Sequence, residues 1–536
     1  MLKGRFNILS IIITLIVGVV LYFFLLPPIN ITSMGFWMFV MMLLFLFIFL
    51  TFIDKVSATI IKIKRNDYSG LGKLMIVFFT IPVLIMIINF VLSPLFNSRA
   101  FSQRITVVED TEESNFVSEV DEVDFNSLPL LDKDSSSRLG DRVMGQMPEL
   151  VSQFYVSNLY TQINYNSEII RVTPLEYNGL FKYISNHKDG VKGYITVNSV
   201  DGEAKLVKLD KGMKYLPSAY LMKDLERHIR FSYPTKIFGQ RSFEIDNDGN
   251  PYWITPTIKY VGVELREDVE GVIITNAVNG KNTYYDVSNV PSWIDHVYNA
   301  NLIISQVNDW GRYREGFFNS MFGQKNVVAT TDGYNYMVMD DDVYLYTGIT
   351  SVSSDESNLG FILTNLRTKD TRFYSVPGAE EYSAMASATG QVQQMRYTST
   401  FPLLINLNNR PTYLVSLKDD AGLVKMYGFI DVTDYQKVVV SDASKGIQVA
   451  ASNYLNNVEF DIDSNLLVEK EIMIKDINTA NIDGNTYYYF LDNDNKKYYV
   501  SINVNSKKLP FVKIGDNLRI KIYNENDVTE IIEIIG

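Results

Sequence analysis

Three histidines, His187, His228 and His296, are the only imidazoles in 536 residues, and cysteine is absent. Disulfides, thiolate nucleophiles and cysteine-ligated zinc or iron–sulfur centres are therefore excluded. The histidines stand apart, with no His-Glu-x-x-His helix to hold a catalytic metal. His296 follows Asp295, but neighbours on a helix point about 100° apart and do not pair. Ser185-Asn186-His187-Lys188 has the Ser-x-x-Lys spacing of penicillin-recognising enzymes without their Lys-Thr-Gly partner, and neither a Gly-x-Ser-x-Gly elbow nor a glycine-rich phosphate loop occurs. Asp246-Asn247-Asp248-Gly249-Asn250 begins like a calcium loop, yet its twelfth position is Thr257 and Pro251 forces an early extended exit. A hairpin turn is expected there, because Asp-Gly supplies the positive φ such turns require. Paired carboxylates of glycosidase type have no fixed sequence spacing, so that chemistry stays open. No catalytic residue, cofactor or metal site is assigned from the sequence.

The elements that would position any such chemistry begin in a membrane. From Phe6 to Ile53 no residue is charged, enough for two spans of about 20 residues each. Pro27 and Pro28 divide the run, so a turn at Leu26–Asn30 makes a helical hairpin with Trp37 near its interface. A third uncharged run, Leu74 to Ser98, has Pro94 near its far end. The loop before it carries Lys55, Lys62, Lys64, Arg65 and Lys73 against Asp54 and Asp67. By the positive-inside rule this loop is cytoplasmic, Lys3 and Arg5 place the N-terminus with it, and three spans carry the remainder outside. A cleaved signal peptide would need a small-x-small site, which is missing. A buried hairpin of a soluble protein would be apolar along one stripe rather than all round.

The chain carries a net charge of −12, and residues 1–98 hold seven basic against two acidic side chains, leaving −17 beyond them. Such a surface repels nucleic acid and anionic headgroups. Glu109, Asp110, Glu112, Glu113, Glu119, Asp121, Glu122 and Asp124, then Asp134-Ser135-Ser136-Ser137, read as a solvated acidic linker over 99–145, with a calcium-binding tail as the alternative.

Further on, Gly271-Val-Ile-Ile-Thr275-Asn276 with Tyr284-Tyr285-Asp286-Val287 recurs as Gly360-Phe-Ile-Leu-Thr364-Asn365 with Phe373-Tyr374-Ser375-Val376, every pair 89 positions apart. Each copy reads as two antiparallel strands and then a helix started by Pro291 or Pro377, over about Trp293–Val307 and Ala379–Met395. A hairpin follows each helix, at Tyr334–Tyr346 and Leu403–Ser416. Upstream, a helical run Ala219–Arg230 leads into the hairpin Ser242–Ile254, which predicts a third unit. The regions expected are 146–240, 241–330 and 331–456, followed by a different rhythm over 457–536. There, short strands at about Val468–Ile477, Thr486–Leu491, Lys497–Val504, Leu518–Tyr523 and Val528–Ile535 predict a small barrel.

The order of helix over antiparallel sheet, with Asp248-Gly249-Asn250-Pro251-Tyr252-Trp253 and Asn279-Gly280 before Tyr284-Tyr285, resembles the PepSY family of small α+β modules. That resemblance implies envelope regulation or association with secreted peptidases, and carries no catalytic residues. The C-terminal region resembles an OB-fold. Tyr487, Tyr488 and Tyr489 could stack on bases, but eleven acids against nine bases from Leu466 onward give no nucleic-acid footprint. The aromatic surplus of 34 Tyr and 31 Phe fits half-buried sheet faces or a carbohydrate or peptide groove. The fold class expected is membrane-anchored α+β: three N-terminal transmembrane helices, tandem helix-plus-antiparallel-sheet modules outside, and a small C-terminal β-barrel. The function expected is a non-catalytic envelope protein, of Gram-positive type by its Lys, Asn and Tyr usage. It would contact the lipid bilayer and a membrane, envelope or wall-polymer partner, with Gly18 and the methionine-rich second span as lateral packing surfaces. The alternative is a hydrolase of wall polymer or peptide using Asp, Glu or Ser.

Overall fold

The computed structural model describes residues 8–60, 69–112, 114–125, 127–339, 341–352, 357–458, 468–482, 485–522 and 528–535. Three apolar helices, α1 (Ile8–Leu25), α2 (Met34–Ile60) and α3 (Ser69–Leu92), are each long enough to cross a bilayer. The turn between α1 and α2 contains Pro27 and Pro28, and Trp37 Nε1 donates to the Ile31 carbonyl at 2.7 Å across it. Gly18 faces Leu43 of α2, so its small surface is used within the hairpin. Pro94 opens the next helix, α4 (Pro94–Ser102), where its missing N–H costs nothing. Lys3, Arg5 and most of the basic loop, on which the charge argument turns, lie outside the described residues.

Beyond α4 come β1 (Val107–Glu109) and α5 (Phe116–Glu119), and then four helix-plus-sheet modules in tandem. The first has α6 (Lys133–Gly145), α7 (Pro148–Val151), β2 (Phe154–Val156), β3 (Thr161–Tyr165), β4 (Glu168–Tyr177), α8 (Leu180–Asn186), β5 (Val191–Asn198) and β6 (Ala204–Met213). The second has α9 (Leu225–Ser232), β7 (Ile237–Phe238), β8 (Ser242–Ile245), β9 (Pro251–Val261), β10 (Arg266–Asn276) and β11 (Asn282–Asp286). The third has α10 (Ala300–Tyr313), β12 (Val328–Thr330), β13 (Asn335–Met339), β14 (Asp342–Ser351), β15 (Ser357–Asn365), β16 (Thr371–Tyr374) and the short β17 (Gly378–Ala379). The fourth has α11 (Glu381–Gln391), β18 (Thr398–Ser399), β19 (Leu403–Asn406), β20 (Pro411–Lys418), β21 (Val424–Asp431) and β22 (Val438–Asp442).

All four follow one plan: a helix, two short strands side by side along the same partner, and a three-strand antiparallel meander. The last turn of each meander is closed by an Asn or Asp. Asn198, Asn276, Asn365 and Asp431 each accept, through Oδ1, the backbone N–H groups two and three residues ahead, at 2.8–3.3 Å. The carbonyl one residue on, of Ser199, Ala277, Leu366 and Val432, accepts from the chain that enters the module's own helix: Leu131, Lys214 with Tyr215, Val297 with Tyr298, and Ala379. Each sheet thereby clasps the start of its helix.

Hydrophobic burial runs across modules rather than within them. Leu225 and Ile229 of α9 share a core with Ile195 of the first sheet and Trp253 and Ile273 of the second. Leu302, Ile303 and Val307 of α10 join Ile254 and Val272 to Val343 and Ile362, and Ala384 and Ala388 of α11 join Phe361 to Tyr413 and Ile430. A core shared by successive sheets makes the array one cooperative stack.

The sequence-drawn limits at 240/241 and 330/331 therefore fall between strands of one sheet: β7 and β8 both pair with β9, and β12 and β13 both pair with β14. The span 331–456 holds most of one module and all of another. In the third module the helix starts at Ala300 rather than near Trp293, because Asn299 caps it by accepting from Leu302 N at 2.9 Å. Pro291 and Pro377 lie upstream of both helices and start neither.

The acidic stretch is not a solvated linker. β1 pairs in parallel with β16, Phe116 and Val120 are buried, and Asp132 caps α6 while bonding Lys418 Nζ at 2.6 Å. Burial would raise Glu119, but hydrogen bonds from Ser114 and Tyr374 and the Arg372 guanidinium outweigh it and hold the carboxyl below its ordinary value. These acids act as fixed ties to the third and fourth modules. Glu113 lies outside the described residues.

Residues 451–536 form a separate unit, with α12 (Ile447–Asn457) carrying the chain into it. Six strands, β23 (Val468–Ile482), β24 (Asn485–Asp492), β25 (Lys497–Ser501), β26 (Asn517–Ile522), β27 (Val528–Glu530) and β28 (Glu533–Ile535), take the order β27-β25-β24-β23-β26-β28. The 15-residue β23 pairs with β26 along its first half and β24 along its second, with an irregularity at Ile474/Asp476 between them. One long strand serving both halves makes a barrel-like sheet around Ile472, Phe490, Tyr498 and Ile520. Tyr487 is buried, Tyr488 stacks on Phe490 and Tyr489 stacks on Tyr499, so all three tyrosines are engaged within the sheet.

Candidate functional site

The residues singled out by type do not converge. Ser185 Oγ donates to the Phe181 carbonyl of its own helix, and His187 Nδ1 lies 2.9 Å from the Ile184 carbonyl. His228 bonds the Gly280 carbonyl at 2.7 Å and packs on Tyr215. Asp246 Oδ1 accepts from Asp248 N and Asn250 N, with Gly249 at φ 78°, so the calcium-like stretch is the expected turn. Asp295 and His296 point to different partners: Asp295 Oδ2 accepts from Asn164 N at 2.8 Å, while His296 Nε2 lies 2.6 Å from the Gln162 carbonyl.

Two arrangements that the sequence reading missed appear where the modules meet. The first is a buried carboxyl pair. Glu244, on β8, and Asp295, ahead of α10, are both almost fully buried, and Asp295 N donates to Glu244 Oε2 at 3.0 Å. Burial, and then the neighbouring Glu244 charge, push Asp295 well above its ordinary value, against the opposing Asn164 N–H. Ser242 Oγ donates to Glu244 Oε1 at 2.6 Å. The pair is closed to solvent, an arrangement that bridges modules rather than reaching a substrate.

The second is a cavity of about 470 Å³ lined by all four modules. Arg171 on β4 stands directly opposite Gln162 on β3, so both side chains share one sheet face. Arg171 is 6% exposed; its Nη2 reaches the Leu131 carbonyl at 3.4 Å, and its Nε, like Gln162 Nε2, has no hydrogen-bond partner among the described residues. Burial lowers the guanidinium to about 10, against the opposing Asp132 carboxylate, so it remains a cation at neutral pH. Asp132 is already held by Lys418. Lys133, Arg241 and His296 also line the cavity, with Tyr160, Tyr298, Tyr334, Tyr336 and Phe401 as aromatic walls. Arg241 is paired with Glu226.

Leaving a buried cation with unused donors is costly, and a ligand that supplies an acceptor recovers that cost. The planar guanidinium matches a carboxylate or phosphate in particular, and the aromatic walls suit an apolar or sugar face beside the charge. Ser242 and His296 line the same cavity without a bond between them, each being engaged elsewhere. The cavity's sequence signal is a single arginine inside Glu168-Ile-Ile-Arg171-Val-Thr, an apolar strand run in which a charge needs a reason. Among the described residues no cluster of three metal-ligating side chains occurs.

No protein-family model matches this chain, and no curated protein matches it. Neither comparison supports the likeness to PepSY modules or to an OB-fold.

Proposed function

We propose that this chain is a non-catalytic, multi-pass membrane protein of the cell envelope, with a cytoplasmic N-terminus and extracytoplasmic modules that bind a protein or wall-polymer partner. The observation that carries the reading is the buried Arg171 guanidinium facing the junction cavity, which fits an acidic group of that partner. The common clasp in four modules supports an origin by duplication of one unit and a scaffold built for binding rather than turnover.

Binding is tested by titrating the full-length protein in detergent with triglutamate, glucuronate and inorganic phosphate. At least one should bind saturably, and Arg171→Met should weaken it about 10- to 100-fold, the loss of one charge-assisted contact. The variant should melt no lower than the native chain, because an unpaired buried charge is removed. Absence of saturable binding, or binding indifferent to the substitution, refutes the cavity as the site. Hydrolysis of wall polymer or peptide that one Ser, Asp or Glu substitution abolishes without unfolding refutes the non-catalytic part. Topology is tested separately: protease added to intact, wall-stripped cells should remove a C-terminal tag, and a protected tag reverses the orientation.

A further inference from the structure

The first and second modules present apolar side chains outward beside the end of a membrane helix. Phe181 is 80% exposed, Leu221 67%, Ile184 55% and Met222 52%, with Leu180 and Phe231 also open. Leu221 is held there with φ 53°, a backbone conformation that costs a non-glycine residue energy.

Their position relative to the bilayer is fixed by Arg227. Its Nε donates to the Phe23 carbonyl at 3.1 Å, in the last turn of α1, and its guanidinium lies 4.3 Å over the Phe23 ring. The same side chain holds the Leu221 carbonyl through Nη1 at 2.8 Å. Phe231 packs against Tyr22 and Phe23. Tyr183 of α8 donates to the Tyr220 carbonyl at 3.1 Å and packs on its ring, tying Phe181 and Ile184 to the same level. The second module is anchored to the other span ends as well: Ile29 N donates to Pro234 O, and Asn89 of α3 exchanges hydrogen bonds with Val263. These contacts leave the patch little freedom to leave the membrane surface.

We infer that α8 and the Tyr220–Met222 turn are embedded in the outer boundary of the lipid acyl chains, as an interfacial foot continuous with the surface of α1. An exposed apolar patch at a span end, flanked in sequence by Lys182, Lys188 and Lys192, has the make-up of an interfacial segment: apolar side chains below, with lysines beside them to reach headgroups. This local basic rim contrasts with the acidic remainder of the modules. The foot sets the height and tilt of the first two modules over the bilayer.

Because the chain has no cysteine, single cysteines at 181, 184, 222 and, as an aqueous reference, at the exposed Leu423 can each carry one spin label. Full-length protein in nanodiscs of phosphatidylcholine and phosphatidylglycerol is then probed with oxygen, which partitions into lipid, and a water-soluble nickel chelate. The oxygen-to-nickel accessibility ratio at 181, 184 and 222 should exceed that at 423 at least fivefold. A ratio equal to that at 423 places the patch in water, and protection from both reagents places it under protein; either overturns the inference. All four substitutions are at exposed positions, and a melting curve within 2 °C of the native chain verifies folding.

Discussion

Asp295→Asn should raise the melting temperature of the full-length protein at pH 7.5 by about 1–5 °C, and the gain should shrink steadily toward pH 4. The magnitude corresponds to about 1–3 kcal/mol for a buried polar group that no longer resists ionisation. The sign follows from linkage. Asp295 is raised in the folded chain by burial and by Glu244, whereas in the unfolded chain it titrates near its ordinary value of about 4. Below that value both states hold the proton and the group is neutral in the balance. As pH rises above it, only the unfolded chain loses the proton, so the native protein loses stability until the folded carboxyl ionises as well. Asparagine resembles the protonated acid: it still accepts from Asn164 N and never ionises. Melts in detergent at half-unit pH intervals for native and variant protein check this, and a pH-independent loss in the variant would show that Asp295 is a charged structural anchor instead.

What was legible in the sequence depended on whether a residue's role is local. The uncharged runs and Pro27-Pro28 marked the three apolar helices, because length and the absence of charge are what a bilayer demands of each segment by itself. The C-terminal strands were legible through their turn residues and alternation, except that the final run breaks into β27 and β28. The acidic stretch was misread, since Glu119 and Asp132 find their cations more than 250 positions away, at Arg372 and Lys418. Composition cannot see a partner at that separation. The same limit hid the junction cavity and the Glu244–Asp295 pair, whose members come from different modules. Module limits were misplaced for a related reason: each core is shared by two sheets, so apolar density does not fall at a module's edge.

The recurrence at an offset of 89 was visible because it rests on a local hydrogen-bond requirement, and that requirement leads to a second, larger effect. Val272 pairs with Tyr285 and Phe361 with Tyr374, the same register 89 positions apart, so the Thr-Asn that ends each strand stands at one place in the turn. Asn198 and Asp431 occupy that place too, at spacings of 78 and 66 from their nearest counterparts, which a constant-offset reading passes over. Asn365→Ala should cost about 2–4 kcal/mol. Its Oδ1 accepts from Arg367 N and Thr368 N and its Nδ2 donates to Asp342 Oδ2 at 2.8 Å in a site 2% exposed; alanine strands the two backbone N–H groups, while Asp342 keeps the Arg367 guanidinium. Asn365→Asp keeps the acceptor but sets a second carboxylate against Asp342, so its loss should be larger at pH 7.5 than at pH 5. Asp431→Asn, by contrast, retains the Oδ1 that bonds Thr433 N and Asp434 N, and should change stability by less than about 1 kcal/mol. Hydrogen exchange should locate the Asn365→Ala loss in residues 366–371 and at the start of α10, where Val297 and Tyr298 bond the Leu366 carbonyl. If exchange there matches the native chain, the clasp does not hold the helix to its sheet.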